Sequence, residues 1–332
     1  MKILIATGVF PPDIGGPSQY AKNLSDEFES EGHEVSVACY SIERHLPIGV
    51  RHFVFFIKAF YHLLWADYAI AMDTFSVGVP TILAARLLRK KVAVRIGGDF
   101  LWESYVERTG NLITMREFYA LMPKISLKEK VIFWVRKKIL PLSNKLVFTT
   151  PWQMNITLSS HGFDKNSAVI IENFFRKDIG LPYSKKNFIW TVRPLKLKNG
   201  RLLYRAFAEA RKTDPELILD DGRYSYEEML ERVKSCYAVI LPSISDDSPN
   251  LILDAISYGK PFILTKESGY YQKFKDIGLF VDPFSESDIA EKILILADPV
   301  EYEKYCQKIL SYKFTHSYRE IASEYLKLYN LL

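Results

Sequence analysis

Two carboxylates eight residues apart in one short segment are the first chemistry this sequence offers. The segment reads Pro242-Ser243-Ile244-Ser245-Asp246-Asp247-Ser248-Pro249-Asn250-Leu251-Ile252-Leu253-Asp254-Ala255-Ile256-Ser257-Tyr258-Gly259-Lys260-Pro261. It follows an apolar run, Ala238 to Leu241, of the kind that forms a buried parallel strand. That places it at the carboxyl end of a sheet, where open α/β sheets bind their ligands. Ser248 is a good N-cap and Pro249 suits the first helical position, so a helix is expected to start there. The first amides of such a helix, around Asn250 and Leu251, have no acceptor within it and can hold phosphate. Asp254 falls one to two turns into the helix while Asp246 stays in the loop, so the two address different parts of one ligand. Gly259 closes the helix and Pro261 opens the next strand.

Further candidates lie elsewhere. Thr191-Val192-Arg193-Pro194-Leu195-Lys196-Leu197-Lys198 sets Arg193 and Lys198 five residues apart behind an apolar run. The first strand-like run leads into Gly8-Val9-Phe10-Pro11-Pro12-Asp13-Ile14-Gly15-Gly16-Pro17-Ser18, with a helical pattern from Tyr20. No Gly-x-Gly-x-x-Gly is present, which disfavours a nicotinamide-dependent enzyme. The amides of Gly15 and Gly16 can still approach an anion at a helix start, with an ordinary turn as the competing reading. No Asp-x-Asp occurs, and His33, His45, His52, His62, His161 and His316 show no ligand spacing. Cys39, Cys236 and Cys306 are too few and too scattered for a disulfide framework or a structural zinc site. No metal and no cofactor are expected.

Short apolar runs alternate with helical patterns along the whole chain. Expected strands are 2–6, 34–40, 68–72, 92–96, 145–149 and 168–171, then 188–192, 217–219, 237–241, 261–264 and 278–281. Most are apolar almost throughout, as for parallel strands covered on both faces, and the helical patterns supply the crossovers. The fold class is therefore α/β with two Rossmann-like doubly wound domains. Residues 1–175 form the first, 176–187 a polar linker and 188–312 the second. Residues 313–332 read as a terminal helix returning to the first domain.

The segment from Pro242 to Pro261 resembles the retaining glycosyltransferases of family 4. Their second domain carries Pro-Ser-x-x-Glu, seven residues, Glu-Ala, then Gly-x-Pro. Asp246 and Asp254 stand at the two glutamate positions, each one methylene shorter. Arg193 and Lys198 match the spacing of a family Gly-Arg and a following Lys, with Val192 in place of the glycine. Pro11-Pro12, Gly15-Gly16, Gly32-His33-Glu34-Val35, Glu172-Asn173, Asp282-Pro283 and Ser317-Tyr318 are similar as well, so the resemblance spans most of the chain.

The resemblance implies the GT-B architecture, two such domains facing across a cleft, here with a reduced second domain and terminal helices packing back on the first. It implies a sugar moved from a nucleoside-diphosphate sugar, UDP- or GDP-linked, to a glycan or lipid-linked acceptor in envelope or exopolysaccharide synthesis, with retention and without metal. It places Asp246 near the donor sugar, Asp254 on the ribose hydroxyls, and Arg193 with Lys198 on the diphosphate. Asp247, Ser248, Pro249, Asn250, Leu251, Gly15, Gly16 and Asn173 complete the donor side. Where members often carry a histidine, the chain reads Gly97-Gly98-Asp99-Phe100-Leu101-Trp102-Glu103. Asp99 is then a candidate to bind an acceptor hydroxyl or act as base. Trp102 and Glu103 are candidates on the acceptor side, although Trp102 can equally pack beneath a loop. The stretch from Lys198 to Asp246 is also shorter than the family's. These departures keep open a non-catalytic sugar-nucleotide-binding protein, and the shared two-domain architecture keeps open a sugar-nucleotide epimerase.

Charge adds one element. The net charge of +5 divides into −4 over residues 1–50, +9 over 51–150 and 0 over 151–332. Within the basic part, Lys128 to Leu140 is patterned with Val131, Ile132, Val135 and Ile139 on a core face. Lys130, Phe133, Trp134 and Lys137 fall opposite. That mixture suits an anionic membrane surface as well as it suits a solvated helix. Nucleic acid is not expected, because no recognition motif accompanies the charge. The start of the chain does not read as a signal peptide and no run reaches the ~20 apolar residues of a spanning helix. The expected location is the cytoplasm, with peripheral association at the inner face of the cell membrane.

Overall fold

The structure is a computed structural model of the chain and describes residues 1–13 and 15–331. It divides into two compact units. The first comprises Met1–Leu101, Lys124–Phe174 and the stretch from His316 on; the second comprises Trp102–Pro123 and Phe175–Thr315. Residues 102–123, expected with the first domain, thus make their contacts in the second unit.

Every run expected as a strand is one. The first unit holds β1 (Lys2–Thr7), β2 (Glu34–Cys39), β3 (Tyr68–Ala71), β4 (Lys91–Ile96), β5 (Lys145–Phe148) and β6 (Ala168–Ile170). Its helices are α1 (Gly16–Ser30), α2 (Val50–Trp65), α3 (Gly78–Leu87), α6 (Leu127–Ile139), α7 (Pro151–His161) and the terminal α14 (Tyr318–Leu331). Between β4 and α6 run α4 (Phe100–Thr109) and α5 (Met115–Leu121). The strands pair in parallel in the order β2-β1-β3-β4-β5-β6. Alternation along each strand feeds two cores. Ile3, Ile5, Tyr68 and Ile70 pack with α1 and α14, while Leu4, Ala6, Ala69 and Ala71 pack with α2 and α3. With helices on both faces, β1, β3, β4 and β5 are buried almost throughout, which is why these runs lack polar alternation, while the edge strands β2 and β6 are only partly covered. Burial of each large side chain contributes about 1.5–3 kcal/mol.

The second unit holds β7 (Asn187–Ile189), β8 (Ile218–Asp220), β9 (Ala238–Leu241), β10 (Phe262–Thr265) and β11 (Leu279–Val281). Its helices are α8 (Gly200–Thr213), α9 (Tyr226–Ser235), α10 (Asn250–Ser257), α11 (Tyr271–Phe274), α12 (Glu286–Ala297) and α13 (Pro299–Ser311). The parallel order is β8-β7-β9-β10-β11, so this sheet has one strand fewer than the first. In each sheet the opening strand sits inside, flanked by the second and third. The order reverses beside it, between β1 and β3 and between β7 and β9. Chain leaving the two strands at such a point diverges and opens a crevice at their carboxyl ends.

Candidate active site

In the second unit the reversal point brings together the loops that follow β7 and β9. The β7 loop ends in a tight turn at Lys196–Lys198, and the Ile244 N–H donates to the Leu197 carbonyl at 2.8 Å. Asn199 follows in the left-handed region, at φ 61°, as N-cap of α8. Its buried side-chain amide donates to the Pro242 carbonyl at 3.0 Å and the Pro283 carbonyl at 2.6 Å. One amide therefore fastens the loops after β7, β9 and β11 together. This fastening presents Lys198 to Asp246, with Nζ to Oδ2 at 2.6 Å and both side chains largely shielded. An ammonium has three N–H donors, so two remain after that bond.

Past Asp246 the chain stays extended. The Asp246 N–H donates to the Glu267 carbonyl at 3.0 Å, and the Gly269 N–H returns to the Asp246 carbonyl at 3.2 Å. This bridge delays the helix. Pro249, at φ −67° and ψ 115°, is the N-cap and α10 begins at Asn250, one residue later than expected, with Ser248 outside it. Leu251 still lies in the first turn, whose amides the helix does not use itself. Asp254 lies one turn further, and burial raises its carboxyl to about 7 against the pull of the Arg176 guanidinium.

Residues 102–123 lie over these same loops. The Glu107 carboxylate accepts from the Leu197 N–H at 3.1 Å, and the Met115 N–H donates to the Ser245 hydroxyl at 3.0 Å. Arg116 approaches Glu267 at 3.7 Å. Glu103 lies 3.8 Å from Arg193, whose guanidinium is otherwise exposed. Trp102 is buried and donates from Nε1 to the Ile113 carbonyl at 2.8 Å, the packing alternative to stacking on a sugar.

The remaining candidates belong to the first unit. Gly15, at φ 139°, is the N-cap of α1, which starts at Gly16 and not at Tyr20. Asp99 is buried, with Oδ2 3.2 Å from Nη2 of Arg136, itself buried. The His161 imidazole shares this interior. Burial first and the Arg136 charge second hold it down to about 4, with Asp99 pulling the other way. The Asn173 side-chain oxygen accepts from Arg95 at 2.8 Å, and Arg95 lies over the Tyr20 ring at 4.0 Å.

The Arg136 pair also corrects the face of α6. Glu129, Ile132 and Arg136 point inward, Val131 is exposed, and Phe133 packs on His161 at 4.8 Å between centroids. The apolar count had set Val131 inward and Phe133 outward. A buried charge at 136 with a capping glutamate at 129 outweighs one methyl-bearing side chain.

Three residues here escaped the sequence reading. Asn199 carried a signal, the Asn-Gly pair that marks a left-handed turn. Glu267 and Asp73 carried none. Glu267 is a carboxyl raised by burial despite Arg116, beside the Asp246 loop. Asp73, at the reversal point of the first sheet, accepts through Oδ1 from the amides of Phe75, Val77 and Gly78 at 2.8, 3.0 and 3.1 Å. Among the described residues no three His, Cys, Asp or Glu side chains form a metal-binding group.

Two units, each on a doubly wound parallel sheet, match the two-domain Rossmann-like GT-B fold. Solved structures share it over the full length. Sucrose-phosphate synthase from Thermosynechococcus elongatus aligns over 100% of this chain and 99% of its own, at TM-score 0.74 and 13% identity. Anabaena HepE, in complex with UDP and glucose, aligns over 100% and 98%, at TM-score 0.65 and 13% identity. A UDP-N-acetylglucosamine 2-epimerase, putative by its own description, from Listeria monocytogenes aligns over 98% and 95%, at TM-score 0.63 and 12% identity. No family model and no curated protein matches the sequence.

Proposed function

We propose that this protein is a glycosyltransferase that moves a sugar from a nucleoside-diphosphate donor to a glycan or lipid-linked acceptor, with retention and without a metal ion. The observation that carries the reading is the meeting of Lys198 and Asp246 at the reversal point of the second sheet, directly before the first turn of α10. A donor diphosphate set there meets Lys198, Arg193 and the first amides of α10. The donor sugar lies toward Asp246, and the ribose toward Asp254. UDP is the favoured nucleotide, since HepE of the same fold is described with UDP and with UDP-glucose. In the reaction the anomeric carbon–oxygen bond breaks with its electron pair passing to the diphosphate oxygen. The acceptor oxygen bonds the same carbon, and its proton leaves on the departing diphosphate. Fixed cations and amides aimed at that oxygen supply ~3–4 kcal/mol for each key donor.

The test is turnover of radiolabelled UDP- and GDP-sugars with and without chelator. Lys198→Gln, whose amide can still donate to Asp246, is expected to lower kcat by about two to three orders of magnitude while the chain still unfolds in one cooperative step. Full turnover in that variant, or complete loss with chelator, removes the scheme. The same fold also serves the epimerase named above, and conversion of the donor with no acceptor present favours that second reading.

A further inference from the structure

We propose that α2, α3 and α6 together form a docking face for an anionic lipid surface, with α2 as its main apolar element. The basic stretch from Lys128 to Leu140 is only one edge of it. Helix α2 buries Phe55, Ala59 and Leu63 against the sheet, yet its outer side is apolar too. Phe53 and Tyr61 are 63% and 68% exposed, with Ile57 and Leu64 completing a stripe at helical spacing. From Phe53 to Leu64 this stripe runs about 16 Å. Helix α3 packs beside α2 and α6 beside α3, in the same layer. They add Leu87 at 67% and Trp134 at 61% exposure, with Val131 next to Trp134 in the chain's outer turn. A soluble surface rarely shows apolar side chains contiguous over this extent without a partner.

Charge selects the partner. Helices α2, α3 and α6 and the Leu88–Lys90 turn contain a single acidic residue, Glu129, and it is buried in the capping box of α6. Lys128, Lys130, Lys137 and Lys138 are exposed on α6, and Arg86 and Arg89 are exposed at the end of α3. A second copy meeting this face with its own would set cations against cations. Aromatic and aliphatic side chains flanked on the α3–α6 side by lysine and arginine match a layer of anionic headgroups over acyl chains. No helix among the described residues is long and apolar enough to cross a membrane, so the contact is interfacial. The proposal uses no residue of the second unit and stands whether or not the transfer reaction does.

Flotation of the full chain with vesicles tests it, comparing phosphatidylcholine alone with a phosphatidylcholine–phosphatidylglycerol mixture. Binding is expected to the mixture and not to phosphatidylcholine, and to weaken as salt rises. Lys137→Gln with Lys138→Gln is expected to lower affinity about fivefold per lysine. Phe53→Ser with Tyr61→Ser is expected to abolish retention at moderate salt. All four side chains are exposed, so an unchanged unfolding midpoint shows that the variants fold. Equal binding to both vesicle types, wild-type binding by the lysine variant, or a dimer in sedimentation that Phe53→Ser dissolves would each overturn the proposal.

Discussion

Replacing Arg136 by Met tests whether Asp99 belongs to the scaffold of the first unit or to chemistry. The two side chains are 1% and 3% exposed, with their charged atoms 3.2 Å apart. Deleting one partner of such a pair typically costs about 3–5 kcal/mol, because the remaining charge stays buried. Asp99→Asn combined with Arg136→Met removes both charges and is expected to cost less than Arg136→Met alone. His161 adds a pH signature. In the fold its imidazole stays neutral until about 4, whereas the unfolded chain takes the proton near 6.5, so stability falls as pH drops between those values. Complete protonation of the unfolded form only is worth up to about 3 kcal/mol at the acid end. With Met at 136 the repelling cation is gone while the attraction of Asp99 remains, so His161 titrates higher and the acid penalty shrinks. Urea unfolding should therefore show the full Arg136→Met loss near pH 8 and a smaller one at about pH 5. An equal loss at both, or one below about 1 kcal/mol, refutes the assignment. Loss of turnover in Asp99→Asn with stability unchanged would return Asp99 to the reaction.

The Asp254 carboxyl, raised by burial to about 7, is neutral in the fold where the unfolded chain has already ionised. The stability it permits is present below its unfolded value and lost as pH climbs through 7. Asp254→Asn is thus expected to gain on the wild type above pH 7 and match it below about pH 4, read by thermal unfolding across pH. Trp102→Phe removes the 2.8 Å bond to the Ile113 carbonyl and should cost about 1–2 kcal/mol with KM for the acceptor unchanged. A raised KM with stability intact would put the indole on a sugar instead.

The inner strands were legible because they are covered on both faces, which leaves unbroken apolar runs such as Ile3–Ala6 and Val239–Leu241. The Asp246 segment was legible because its placement after β9 is local information. What sequence did not carry depends on distant partners. The late start of α10 follows from the pairing of Asp246 with Ser268 on another loop. The inward face of α6 follows from Asp99, which stands across the unit from Arg136 in the chain order. The fastening role of Asn199 needs carbonyls at 242 and 283, and no window around Asn199 contains them.

The placement of Trp102–Pro123 bears on how such a protein can diversify. These residues are threaded between β4 and β5 of the first sheet, yet they touch the loops that hold Lys198, Asp246 and Glu267. Recombination that exchanged only Phe175–Thr315 for the corresponding piece of a relative would leave the loops at Lys198, Asp246 and Glu267 without the Glu107, Met115 and Arg116 contacts. The surroundings of Lys198 and Asp246 are therefore not inherited as one contiguous block. A chimera that keeps these loops in their native packing must import two separate stretches at once.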